Sequence, residues 1–197
     1  MNGQKEELRK HYKEIRNEIP AGSRALKSVT IWKHFFDLPE YKTAKTIMVY
    51  SDIKSEVRTN LFAERMFADG KSVVFPLCDK EKVDLIPYEI DNSSRLKLGS
   101  FGVLEPNTDF LGEGKVTLRE KNEIDLVIVP GVAFDIYGYR IGYGKGYYDN
   151  FLKDFKGIKI GFSYTDCICY SVFPTEKDIP MDILITEAGC ERFEQTI

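Results

Sequence analysis

A chain of 197 residues, 43% hydrophobic and 30% charged with a net charge of −3, is long enough to bury a core unaided. Its charge is too evenly balanced to hold nucleic acid or an anionic membrane by the overall field, so its basic residues must act locally. The four cysteines, at 78, 167, 169 and 190, form no C-x-x-C pair, and Cys167-Ile168-Cys169 lacks zinc-ligand spacing. The expectation is one domain over residues 1–197, a monomer with free thiols in a reducing cytoplasm, with no secretory segment and no run near the ~20 apolar residues of a membrane span.

Leu8, Tyr12, Ile15 and Ile19 recur at helical spacing and predict an amphipathic helix over residues 3–19, ended by Pro20. Lys5, Arg9 and Arg16 share one edge of its apolar stripe. From the pattern alone, that edge is either a solvated basic face or a ligand-facing one. A second helix is expected over 22–37, with Val29, Trp32, Phe35 and Phe36 on its buried side. Residues 45–51 read as the first strand, and 52–59 as a connection ending in Thr59, the expected N-cap of a helix over 60–69. Val73, Val74 and Phe75 predict a strand stopped by Pro76, and residues 85–89 another, placed at a sheet edge by Pro87. Residues 91–122 read as irregular. Leu126-Val127-Ile128-Val129 is a buried strand, 158–162 a further one and 183–186 the last. Strands alternating with helices predict an α/β three-layer sandwich with a largely parallel central sheet.

The densest signal follows Val129. Gly138, Gly142, Gly144 and Gly146 enclose Arg140 and Lys145, and Tyr147-Tyr148-Asp149-Asn150-Phe151-Leu152 then takes helical spacing. Glycines let a backbone approach a ligand closely, and converging N–H groups with an Arg fork and a Lys point charge suit a polyphosphate. Asp149 puts a carboxylate where a phosphate-bound magnesium ion needs one or two. A P-loop is excluded, because Gly146 rather than Ser or Thr follows Lys145. A Rossmann fingerprint is excluded too, because the glycines do not directly follow the strand. Ser51 and Glu56 lie past a strand end, where open α/β sheets bind ligands, although a glutamate near a helix start also has a plain electrostatic reason to be there. Asp182 opens the last strand, either as a second acid near a metal or as a solvated strand-entry residue. His11 and His34 fall on helices, and no Ser-His-Asp or Cys-His set is present to supply a nucleophile.

The run Pro130-Gly131-Val132-Ala133-Phe134-Asp135, followed by Gly138-Tyr139-Arg140-Ile141-Gly142-Tyr143-Gly144-Lys145-Gly146-Tyr147-Tyr148-Asp149, resembles the 5-formyltetrahydrofolate cyclo-ligase family. The Lys5/Arg9 spacing, the Glu56-Val57-Arg58-Thr59 segment, Gly99 to Pro106 and Pro180 to Glu187 fit the same family, so the resemblance runs from Lys5 to Glu187. One departure stands out. A Gln before an L-P segment and a His before Asp are usual there, whereas this chain reads Asp166 to Pro174 without the Gln and has Lys177 before Asp178. The resemblance implies a fold like ribose-5-phosphate isomerase and CoA transferase. It also implies ATP- and magnesium-dependent closure of 5-formyltetrahydrofolate to 5,10-methenyltetrahydrofolate, with ADP and phosphate released. It places Lys5, Arg9, Gly138, Arg140, Gly142, Tyr143, Gly144, Lys145, Gly146, Tyr147 and Tyr148 at ATP, with Lys145 and Arg140 acting in catalysis and Arg16 a weaker member of the basic set. It places Ser51, Glu56 and Tyr147 at the folate, and Asp149 and Asp182 at the metal. The rival readings are a non-catalytic folate- or nucleotide-binding module and an isomerase or transferase relative on the same fold.

Overall fold

The computed structural model of the protein describes residues 2–194. The elements run α1 (Asn2–Glu18), α2 (Ala21–Asp37), α3 (Pro39–Thr43), β1 (Thr46–Met48), α4 (Asn60–Ala68), β2 (Ser72–Asp79), β3 (Asp84–Ile90), β4 (Leu96–Leu98), β5 (Leu104–Pro106) and β6 (Val116–Leu118). They continue with β7 (Leu126–Val129), β8 (Ala133–Asp135), β9 (Arg140–Ile141), α5 (Tyr147–Leu152), β10 (Ile158–Phe162), β11 (Ile168–Cys169), β12 (Ile183–Thr186) and β13 (Gly189–Arg192). Eight strands form the main sheet in the order β13-β12-β10-β7-β1-β2-β3-β6. Its five central strands, β12 to β2 in that order, are parallel, and the outer ones are antiparallel.

Both faces of this sheet are buried, which is why its central strands are nearly unbroken runs of Ile, Leu and Val. Alternate residues enter two cores. Ile47, Val73, Phe75, Leu126, Ile128, Ile160 and Ile183 join Ile31, Trp32 and Phe35 of α2 and Ala63 and Met66 of α4. Met48, Val74, Val127, Val129 and Leu184 face the other way, against Phe134, Phe151, Leu152 and Phe155. Helix, sheet and a third layer built around α5 and β8 give the expected sandwich. Among the described residues, no helix is long and apolar enough to cross a membrane.

Several local expectations change. Val29 is 55% exposed and Ile31 takes its place in the core of α2. β2 runs straight through Pro76, which lies opposite Pro87 of β3. Two prolines can face one another only at a non-hydrogen-bonded pair, and β1 has already ended beside Val74, so Pro76 lacks no ladder bond. Pro87 does not mark an edge, because β6 pairs outside it and the Pro87 carbonyl accepts the Arg119 N–H at 2.9 Å. The stretch over 91–122 holds the β4–β5 hairpin and the edge strand β6, and β13 adds one antiparallel strand after β12. A two-strand hairpin, β8–β9, intervenes between β7 and the glycine loop.

The 49–59 connection is held on all sides. Thr59 is the N-cap of α4 by position, yet its side chain does not cap; its hydroxyl donates to the Tyr50 carbonyl at 2.5 Å. Asp52 does the capping, with Oδ1 accepting the N–H groups of Thr59 and Asn60, both at 2.8 Å. Trp32 Nε1 donates to the Arg58 carbonyl at 2.6 Å, and the Tyr164 hydroxyl donates to the Glu56 carbonyl at 3.0 Å. Asp52→Ala should therefore lower stability by about 1–2 kcal/mol, the usual loss for a helix cap. The check is a lower urea midpoint at unchanged slope; an unmoved midpoint would take the capping role away from Asp52.

Candidate active site

A cavity of about 570 Å³ lies where the chain leaves β1 and β7 and along the far half of β2. Tyr50 and Ser51 follow β1, Pro76 and Cys78 belong to β2, and Pro130 and Gly131 follow β7. The parallel sheet thus delivers its carboxyl ends to one place. Lys5 and Arg9 of α1, the 142–146 loop, Tyr147 to Asp149, and Phe101 with Val103 complete the wall.

One side of the cavity is organised by Glu56, which is 6% exposed. Its Oε2 accepts the Ile53 N–H at 3.0 Å. Burial pushes its pKa up to about 7, against the opposing pull of the Arg16 charge, the Ile53 amide and the Tyr143 hydroxyl. Two buried hydroxyls beside it, Ser51 Oγ and Tyr148 Oη, have no hydrogen-bond partner among the described residues. Buried polar groups are otherwise nearly always paired, so this cluster is shaped for a ligand rich in N–H and carbonyl groups.

The other side is cationic. Arg9 lies over the glycine loop, with Nε donating to the Gly142 carbonyl at 2.8 Å and a guanidinium nitrogen paired with Glu6. Gly144 has φ +87°, and a Cβ there would stand 3.2 Å from Arg9 Nη2, so both conformation and clearance call for glycine. Lys5 Nζ pairs with Asp178 at 2.6 Å. Asp178 also accepts the Thr175 N–H and hydroxyl; its burial favours the neutral acid, but the bonds from Lys5 and Thr175 outweigh that and hold its pKa below the usual value. Arg140 Nη2 donates to Asp149 Oδ1 at 2.9 Å and Nη1 to the Ile179 carbonyl at 3.3 Å. Lys145 is exposed at the rim and has no ion-pair partner among the described residues.

The fold therefore gathers Lys5, Arg9, Ser51, Glu56, Arg140, Gly142, Tyr143, Gly144, Lys145, Gly146, Tyr147, Tyr148 and Asp149 around one cavity. It does not bring in Gly138 or Asp182. Gly138 is the turn of the β8–β9 hairpin, with φ +85°, its N–H on the Asp135 carbonyl and its α-carbon against the Phe193 ring. Asp182 sits at the amino end of β12, away from the carboxyl ends that face the cavity. Its carboxylate accepts the Lys159 N–H at 2.7 Å and pairs with Lys159 Nζ at 2.9 Å. Arg16 points into the protein rather than at an anion site.

Sequence reasoning missed Asp178, Glu105 and Tyr50 as cavity residues. Glu105 is buried and accepts the Cys78 N–H at 3.2 Å; burial first, and then Glu105, push the Cys78 thiol pKa up to about 12. The Phe134-Asp135 pair before a Gly-containing turn was the available signal for the hairpin. Glu105 lies in the Gly99 to Pro106 segment, but its place in the cavity depends on β5 reaching β2.

Among the described residues, no group of three or more His, Cys, Asp or Glu side chains is placed to hold a metal by itself. One cavity carboxylate, Asp149, lies beside the cationic loop. That donor set fits magnesium arriving with nucleotide phosphates, which needs only one or two carboxylates, and does not fit a protein-caged ion.

A profile of the 5-formyltetrahydrofolate cyclo-ligase family matches residues 1–187. The probable 5-formyltetrahydrofolate cyclo-ligase of Schizosaccharomyces pombe is 32% identical over 79% of this chain and 78% of its own length. The 5-formyltetrahydrofolate cyclo-ligase of Haemophilus influenzae is 29% identical over 94% of this chain and all of its own. The NMR structure of the 5,10-methenyltetrahydrofolate synthetase of Aquifex aeolicus superposes with a TM-score of 0.83 at 33% identity, covering 98% of this chain and 94% of that one.

The raised pKa of Glu56 carries a stability consequence. A carboxyl whose folded pKa lies above its unfolded value destabilises the fold progressively as pH rises from about 4.5 to about 7, and fully above that. Glu56→Gln keeps the shape and most hydrogen bonds while removing the charge. It should raise stability by roughly 2–3 kcal/mol at pH 8 and far less at pH 5. Thermal melts at the two pH values check this; equal effects at both would mean Glu56 is not held neutral by burial.

Proposed function

The chain belongs to the 5-formyltetrahydrofolate cyclo-ligase family, and from that membership we propose that the cavity closes 5-formyltetrahydrofolate to 5,10-methenyltetrahydrofolate at the expense of ATP. The observation that carries this reading is the junction of two unlike walls in one cavity: a glycine-rich loop under four cations, and a buried carboxylate with two unpaired hydroxyls. The first suits a polyphosphate. The second suits the amino-pyrimidine edge of a reduced pterin, whose N–H groups would meet Glu56 and whose carbonyl would meet Ser51 or Tyr148.

The chemical obstacle is the amide-like formyl oxygen, a poor leaving group. Moving the γ-phosphoryl onto that oxygen releases ADP and creates a good one. The neighbouring linker amine then attacks the formyl carbon, its N–H proton is lost to solvent, the C–O bond breaks, and phosphate departs. The protein's contribution is placement and charge neutralisation. Lys5, Arg9, Arg140, Lys145 and the amides of residues 142–146 take the phosphates. Tyr147 stands at the junction of the two ligands. Magnesium bound with the nucleotide would be held by Asp149 and would neutralise phosphate charge. Lys5 and Arg140 begin in ion pairs with Asp178 and Asp149, so an incoming anion exchanges partners with them rather than meeting bare charge.

The reading is tested by mixing the protein with magnesium, ATP and 5-formyltetrahydrofolate and following the near-ultraviolet absorbance of the methenyl product. Signal that requires ATP supports it. Binding of either ligand without signal supports a non-catalytic module, and absence of both binding and signal overturns the reading. Lys145→Ala should reduce kcat by about 10²-fold or more with an unchanged far-ultraviolet spectrum, the usual scale for removing a group that meets developing charge. Glu56→Gln should raise KM for the folate more than KM for ATP; equal rises would place Glu56 elsewhere in the mechanism.

A further inference from the structure

Asp178 reaches the cavity from the connection between β11 and β12 and meets the amino-terminal end of α1 there. Its Oδ2 accepts three donors: Lys5 Nζ at 2.6 Å, the Thr175 N–H at 2.6 Å and the Thr175 hydroxyl at 2.7 Å. The Asp178 N–H donates to the Thr175 carbonyl at 3.0 Å, so residues 175–178 close a turn around the carboxylate. The chain just beyond is anchored as well. The Ile179 carbonyl accepts Arg140 Nη1 at 3.3 Å, and the Met181 N–H donates to the Gly138 carbonyl at 2.9 Å.

The two halves of the Lys5–Asp178 pair are held unequally. Lys5 is a long side chain near the start of α1, where the helix end is positive and the first turn supplies no acid to offset it. Its ammonium therefore needs an anion, and in the empty site it takes Asp178. Asp178 does not depend on Lys5 in return. If the ammonium swings to a phosphate, Oδ2 keeps both Thr175 donors, so the carboxylate stays in place without being left bare. Lys5 is the mobile half. A bond present in the empty site and absent from the filled one must be broken on binding, and it subtracts from the affinity of whatever breaks it.

We propose that Asp178 is an internal anion that competes with the nucleotide phosphates for Lys5. It occupies the ammonium while the site is empty, yields it when phosphates arrive and takes it back as they leave. Asp178 thus sets how tightly the site holds its nucleotide, and it acts through Lys5. The proposal rests on the reading given above, in which the cations of this cavity take the phosphates.

The test is a calorimetric titration of the full chain with ATP and magnesium, with no folate present so that no turnover intervenes. Asp178→Asn keeps an oxygen for Thr175 and turns the ion pair into a neutral bond. It should bind ATP about three- to tenfold tighter than the wild type, the scale of one partly covered ion pair lost from the empty site. Asp178→Ala, which removes the pair outright, should move affinity in the same direction. In a Lys5→Ala background the same two substitutions should change ATP affinity by less than about twofold, because the competition passes through Lys5. Damage to the 175–178 turn would weaken binding, so a gain in affinity separates competition from a structural role. Unchanged or weaker binding in both Asp178 variants overturns the proposal. So does an equal gain in the Lys5→Ala background, which would reduce Asp178 to plain repulsion of the phosphates. A wild-type protein that binds no ATP overturns the phosphate reading on which the proposal stands.

Discussion

The site depends on keeping a carboxylate where water is scarce. Glu56 sits in the connection after β1 with little exposure, and burying an acid there favours its neutral form. The surrounding fold supplies what the charge needs: a bond from the Ile53 amide, and the Arg16 charge and Tyr143 hydroxyl nearby, which favour the ionised form. Those donors come from α1, the glycine loop and the Glu56 connection itself, so the carboxylate is in place only when these distant segments are folded against one another. Helix α2 and Tyr164 hold the same connection from behind through Arg58 and the Glu56 carbonyl.

The sheet explains why those segments meet. Five parallel strands buried on both faces point their carboxyl ends the same way, and the connections after β1 and β7 open beside one another. Helix α1 packs across that opening, brings Lys5 and Arg9 to the glycine loop, and holds Tyr143 of that loop through Arg16. The cations do not stand as a bare positive cup. Lys5 is held by Asp178, Arg140 by Asp149 and Arg9 by Glu6. Mutual pairing keeps like charges close together without strong repulsion, and it fixes long side chains that would otherwise lose rotamer freedom on meeting a ligand.

Much of this was legible in the chain. The unbroken apolar run at 126–129, the helical spacing over 3–19 and the glycine-basic stretch at 138–149 each carry a local physical reason, and the elements formed close to where those patterns placed them. The misses have local reasons too. Pro76 reads as a stop because proline lacks a donor, but β1 had ended and no donor was required there. Gly138 reads as one more loop glycine because sequence does not reveal that Asp135 closes a hairpin around it with bonds to the amides of Tyr137 and Tyr139. The 91–122 stretch hid β4, β5 and β6 because strands of three residues leave too few positions to show a period.

Sequence by itself determined the class of fold, the glycine-rich, basic character of the 142–146 loop and the residue types available for chemistry. Those rest on periodicity, backbone freedom and charge, which are properties of neighbouring residues. Tertiary structure alone decided that Asp182 answers to Lys159, that Asp178 answers to Lys5, and that Arg16 answers to Tyr143. A charged side chain takes its partner from whatever lies within a few ångströms after folding, and those partners are separated by 23, 173 and 127 residues along the chain.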